Sequence, residues 1–159
     1  MLRLSLLISI GISLFGVLLI EHFFTMEPDG VANGGNLGAL GLALVCPFVA
    51  LSLFITFRYF TELVRMSKDA LLRSIYIGFG FALLIFVTYY AIGYKNDVYT
   101  ALGGDTKAPG SIIYGFPLLN EYTNRVFINF YTFAAIHLIS ALAGAFFGIF
   151  KKTPTHVAE

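Results

Sequence analysis

The chain has little charge and almost no cysteine. Of its 159 residues, 10 are Lys or Arg and 9 are Asp or Glu, 12% in all, where a soluble domain carries about a quarter. A water-exposed exterior with so little charge would be adhesive. Lipid removes that difficulty, because apolar side chains then meet an apolar solvent. The net charge of +1 supplies no basic field for nucleic acid. Cys46 is the single cysteine, which excludes an intramolecular disulfide and a cysteine-built metal cage. An inert buried thiol is its default role. Gly-x-x-x-x-Gly-Lys loops, Gly-x-Ser-x-Gly elbows and His-Glu-x-x-His helices are missing as well. No group of His, Cys and carboxylates has metal-ligand spacing, so no metal is expected.

What the chain has in abundance is apolar sequence, 58% of residues, with a mean hydropathy of +0.83. About twenty apolar residues cross a bilayer as a helix. Four runs qualify, at 4–24, 37–57, 71–93 and 126–150, with no Lys or Arg in the interior of any of them; Arg73 stands at the very start of the third. In hydrocarbon a backbone must satisfy its own hydrogen bonds, so each run is expected to be helical. A transmembrane barrel is excluded, because the runs are continuously apolar rather than alternating. The first run follows the basic Arg3. It ends in Glu21-His22-Phe23 rather than a small-x-small cleavage pattern, and reads as a retained helix. The expected fold is all-α, a single membrane-embedded four-helix bundle spanning 1–159.

Basic residues set the threading. Arg3, Arg58, Arg65, Lys68, Arg73, Lys151 and Lys152 fall on one side, against Lys95, Lys107 and Arg125 on the other. The positive-inside rule places the richer side in the cytoplasm. Both termini, the loop 58–70 and the tail 151–159 are then cytoplasmic, and 25–36 and 94–125 are outer loops. The charge asymmetry and compact architecture suit a bacterial cytoplasmic membrane. The first outer loop carries turn residues at Pro28, Asp29, Gly30 and the Gly34–Gly35 pair. The second is long for so small a protein. Its stretch 111–119, SIIYGFPLL, is too short to span. It is expected either to anchor in the interface through its aromatics or to act as a binding element.

Apolarity does not pair helices in lipid; small residues do, by letting backbones approach. Such stripes occur at Ser5, Ser9, Ser13 and Gly16, at Gly35, Ala39 and Ala43 with Gly38 and Gly41 beside them, and at Ser140, Gly144 and Gly148. Pro47, inside the second run, removes a backbone donor and reads as a fixed bend or a hinge.

Few polar residues remain. His137 lies near the middle of the fourth run, on a face with Ala141, Gly144 and Gly148. It reads either as a proton-transfer group or haem ligand, or as a partner for a Ser or carbonyl on a neighbouring helix. Glu21 and His22 match Tyr89, Tyr90 and Asn129 in depth, which would make an outward-facing polar pocket; alternatively Glu21 and His22 simply reach water. His22 and His137 sit too far apart in depth to share a haem, and His156 belongs to the polar tail. Three functions are therefore weighed. The first is a subunit, assembly factor or regulator of a membrane complex, partnered by another membrane protein or by copies of itself. The second is a component of an oligomeric transporter or channel, against which stand the sparse charges inside the runs. The third is a membrane enzyme or redox protein acting on a lipid or quinone. No cofactor is expected under the first two; haem or quinone enters only with the third.

Overall fold

Three of the four long helices begin where a short polar side chain takes up a free backbone N–H; the first has no side-chain cap. Asn36 Oδ1 accepts from Ala39 N at 3.0 Å, Asp69 Oδ1 from Leu71 N at 2.8 Å, and Asn129 Oδ1 from Thr132 N at 2.9 Å. The computed structural model describes residues 1–30, 35–67 and 69–151 of the chain. The expectations for Gly34, Lys68, Lys152 and His156 lie outside the described residues. The elements are α1 (Leu2–Phe23), α2 (Leu37–Met66), α3 (Ala70–Ala101), the single turn α4 (Asn124–Phe127) and α5 (Phe130–Phe150). Counting α4 and α5 as one, four helices are long and apolar enough to cross a membrane.

Three boundaries differ from the hydropathy reading. The first is that α2 continues nine residues past 57, to Met66, into the connection 58–70. The helix α3 runs to Ala101 and so absorbs Tyr94 through Thr100, placed by hydropathy in a loop. At 32 residues it is about 48 Å long and outreaches a hydrocarbon core of about 30 Å; polar residues can therefore continue the helix in water. The fourth run, read as one helix from Val126, breaks after Phe127. Asn129 forms a capping box with Thr132 and restarts the helix as α5. Hydropathy misses the break because apolar residues flank it on both sides.

The helix α2 is central, packed on α1 along one side and on α5 along the other, and α5 in turn carries α3. The bundle is open beside α3, which packs substantially on no other long helix and has no buried residue.

Small residues make the α2–α5 contact. A Cβ on Gly144 would collide with Phe57 O, and one on Gly148 would stand 2.6 Å from Thr61 O. Hydroxyls add bonds across the same seam: Ser140 Oγ donates to Leu53 O at 2.7 Å and Thr61 Oγ1 to Gly144 O at 3.1 Å. Between α1 and α2, Ser13 Oγ lies 2.9 Å from Phe48 O, and Gly16 receives Val45. The Ser9 and Ser5 end of that stripe is progressively exposed.

On α2 the packed small residues are Gly38 and Gly41, not Gly35, Ala39 and Ala43. Gly38 faces Asn124 and Gly41 faces Ile20, whereas Gly35 and Ala43 are exposed and Ala39 half-buried. Both sets have helical spacing, and only the positions of Ile20 and Asn124 decide between them. The helix passes through Pro47 without interruption, and Pro47 is exposed. Cys46 beside it is exposed too, instead of buried.

A methyl added at Gly144 has nowhere to go, since backbone rather than a movable side chain opposes it. Gly144→Ala is expected to destabilise the protein by about 1–3 kcal/mol. Gly11→Ala, whose Cβ would meet nothing within 4 Å, is expected to be neutral or to stabilise by up to about 1 kcal/mol. Thermal unfolding of both variants in the same detergent checks the contrast; equal melting temperatures would contradict it.

Candidate functional site

Two polar places lie against the helices. The first is at mid-helix, where His137 Nε2 is 2.8 Å from Ser52 Oγ on α2 and His137 Nδ1 is 2.8 Å from Phe133 O. A carbonyl only accepts, so Nδ1 carries a proton, and in the neutral ring Nε2 accepts from Ser52. Ser52 Oγ also lies 2.9 Å from Val49 O, and Thr56 Oγ1 donates to Ser52 O at 2.7 Å. Ser52, Thr56 and His137 are all buried. Both imidazole nitrogens are thus engaged by neighbouring helix atoms, the arrangement of a histidine that joins α2 to α5.

The second is at the end of the bundle bearing the α1–α2 and α3–α4 connections, here the long-loop end. Glu21, only 6% exposed, accepts from Tyr94 Oη on α3 at 2.8 Å and from Phe130 N at 3.2 Å. The carboxylate therefore sits at the N-terminus of α5, where free N–H groups and the helix dipole favour negative charge. One side chain of α1 joins two other helices.

Of the residues expected beside Glu21, none is bonded to it. His22 is exposed, since the next helical position turns about 100° away. Asn129 is buried but spends itself locally: besides its cap bond, Nδ2 donates to Arg125 O at 2.7 Å and Val126 O at 3.1 Å. Tyr89 and Tyr90 are exposed one turn short of Glu21, and Tyr94 takes their place. Hydropathy puts Tyr94 among the aromatics of the outer loop; the longer α3 places it beside Glu21 instead.

Tyr89, Tyr90, Tyr94 and Tyr131 instead surround an open cleft of about 470 Å³ that also includes Gly93 and Asp97. Tyr131 stacks on Tyr90 with centroids 6.3 Å apart and planes 12° apart, and meets Tyr94 at 5.6 Å.

The connections form a cap. Leu102, Ile113 and Tyr122 make a small buried core with Met26, Val98 and Tyr99 against it. Tyr122 Oη donates to Gly30 O at 2.9 Å, and Met26 N to Glu121 O at 2.8 Å, tying the two connections together. The chain reverses at Gly103 and Gly104, both at positive φ, and a Cβ on Gly104 would stand 2.6 Å from Ala108 Cβ. Within 111–119, Ile113 points into this core, while Ile112, Tyr114, Phe116 and Leu118 are exposed.

Arg125 pairs with Glu27 through both terminal nitrogens, at 2.8 and 3.1 Å. That bond holds the Glu27 carboxyl below its ordinary value of 4.5. Asn124 Nδ2 donates to Asn36 Oδ1 at 2.6 Å and so locks α4 to the start of α2. Among the described residues no group of three His, Cys, Asp or Glu side chains is placed to hold a metal ion.

A depressed folded-state pKa makes the Glu27–Arg125 contribution complete above the unfolded carboxyl's range and lost as pH falls through the folded value. Glu27→Gln is expected to lower stability by up to about 1 kcal/mol at pH 7, because the Glu27 side chain is 63% exposed although that of Arg125 is only 16% exposed. The difference should vanish toward pH 3 and shrink in high salt. Melting curves across that range check it, and a gap that widens on acidification would contradict it. Tyr94→Phe is expected to cost about 1–3 kcal/mol, leaving a buried carboxylate with one donor fewer.

Comparison with protein-family models, with curated proteins and with solved structures finds no match to this chain.

Proposed function

We propose that the protein is a multi-pass subunit or regulator of a membrane complex, and that α3 is the helix it presents to its partner. The packing of α3 carries this reading: across 32 residues it buries none, although it is as apolar as its neighbours. It rests on α5 through contacts such as Gly80 with Leu142 and Phe81 with Phe146. Elsewhere on its surface Gly78 has no atom within 4 Å of where a Cβ would stand, and Ala82, one turn on, is exposed. Small residues four apart are what a second helix needs to approach closely in lipid.

The polar interior supports the same reading over a permeation route. Ser13, Ser52, Thr61, His137 and Ser140 are engaged by backbone or by one another, whereas ion paths present polar groups to a conduit. The lysine and arginine bias supports threading through a cytoplasmic membrane with both termini and the α2–α3 connection on the cytoplasmic side.

Gly78→Leu fills the proposed contact at a position where a Cβ meets nothing within 4 Å in the monomer. It is expected to abolish stoichiometric co-purification of a membrane partner, or of a second copy, in mild detergent without lowering the melting temperature. A wild-type protein that purifies as a partnerless monomer would overturn the reading. For the threading, single cysteines are introduced into a Cys46→Ala background. A membrane-impermeant thiol reagent is expected to label Lys107→Cys and spare Ser74→Cys on intact cells; the reverse pattern would invert the topology.

A further inference from the structure

We infer that the tyrosine cleft at the long-loop end binds the ammonium headgroup of a phospholipid, phosphatidylethanolamine or phosphatidylcholine. Tyr89, Tyr90 and Tyr94 come from α3 and Tyr131 from α5, so four rings from two helices border one concavity. Ring faces carry negative potential and attract a desolvated cation, best when several converge on it. Asp97 adds a carboxylate at the same wall, and no Lys or Arg is among the lining residues. An anionic headgroup would meet that carboxylate without a counter-charge.

The geometry suits a lipid rather than a dissolved amine. The cleft lies where α3 leaves its apolar stretch, at the level where tyrosines line a membrane interface. It is open to the side, and its rim includes the apolar Ile92, 55% exposed. An acyl chain can follow Ile92 while the headgroup stays among the rings. Gly93 supplies the space: a Cβ there would meet nothing within 4 Å, so the cleft wall at that point is bare backbone. An ordinary aromatic belt distributes its rings singly around a bundle. Here Tyr90 and Tyr131 are stacked, and Tyr89 stands edge-on to Tyr90 at 5.6 Å.

The test is lipid retention by the full chain in mild detergent, read by native mass spectrometry. Phosphatidylethanolamine, phosphatidylcholine and phosphatidylglycerol of identical acyl chains are supplied in turn. The wild type is expected to retain the two ammonium lipids about fivefold over phosphatidylglycerol. Gly93→Leu, which fills the cleft, and Asp97→Asn, which removes its charge, are each expected to bring that ratio close to one with an unchanged melting temperature. Equal retention of phosphatidylglycerol by the wild type, or an unchanged ratio in either variant, would overturn the proposal. Displacement of the bound lipid by tetramethylammonium chloride at a concentration equal to the lipid's would overturn its assignment to a lipid. Gly78 lies about 22 Å away along α3, so loss of a partner and loss of lipid are read separately.

Discussion

Between the backbones of α2 and α5 there is no room for a side chain, and the placement of the other helices follows from that contact. Lipid gives helices no hydrophobic reason to associate, so close approach has to supply the attraction through dispersion and short polar bonds. Gly144 and Gly148 let α5 lie on the carbonyls of Phe57 and Thr61, and the hydroxyls of Thr61 and Ser140 bond across the gap. Once that seam is made, His137 reaches Ser52, which fixes the rotation of α5 about its axis. Ser13 and Gly16 then seat α1 on the opposite side of α2.

The long-loop end obeys a different constraint. Here the chain emerges from its apolar runs, and the free N–H groups of α5 and the connecting backbone need partners. Glu21 serves one of them, Asn129 and Thr132 others, and the Asn120 and Thr123 side chains close the preceding turn. Tyr122, Glu27 and Asn36 carry bonds between the two connections. Side chains that look like scattered polar candidates are therefore mostly engaged in hydrogen bonds within the bundle. The tyrosine cleft differs in kind, because Tyr89, Tyr90, Tyr94 and Tyr131 line an open concavity as well as packing on one another.

How much of this was legible from the amino-acid sequence depends on the range of the interaction. Span number followed from about twenty residues of unbroken apolarity, a property each segment carries by itself. The stripes at Ser13–Gly16 and Gly144–Gly148 were legible because small residues stood on one clear face. On α2 two faces qualified, and only the position of Asn124, far away in the chain, selects Gly38 over Ala39. The pairing of Glu21 with Tyr94 was not legible, since 73 residues separate them and hydropathy ended α3 too early. The restart of α5 did leave a local trace, Asn129-Phe-Tyr-Thr132, a capping pattern hidden by the apolar residues around it.

The bond from Glu21 to Tyr94 ties α3 to α1, while along its length α3 rests on α5. A lateral load on α3, from whatever occupies its free side, would thus arrive at one carboxylate that also holds the first turn of α5. That carboxylate acts as a mechanical linkage: one oxygen holds Tyr94 and the other the backbone N–H of Phe130, so displacing Tyr94 with its bond intact pulls on both. Strain at one periphery of the molecule would in this way be felt at the root of the helix that bears His137.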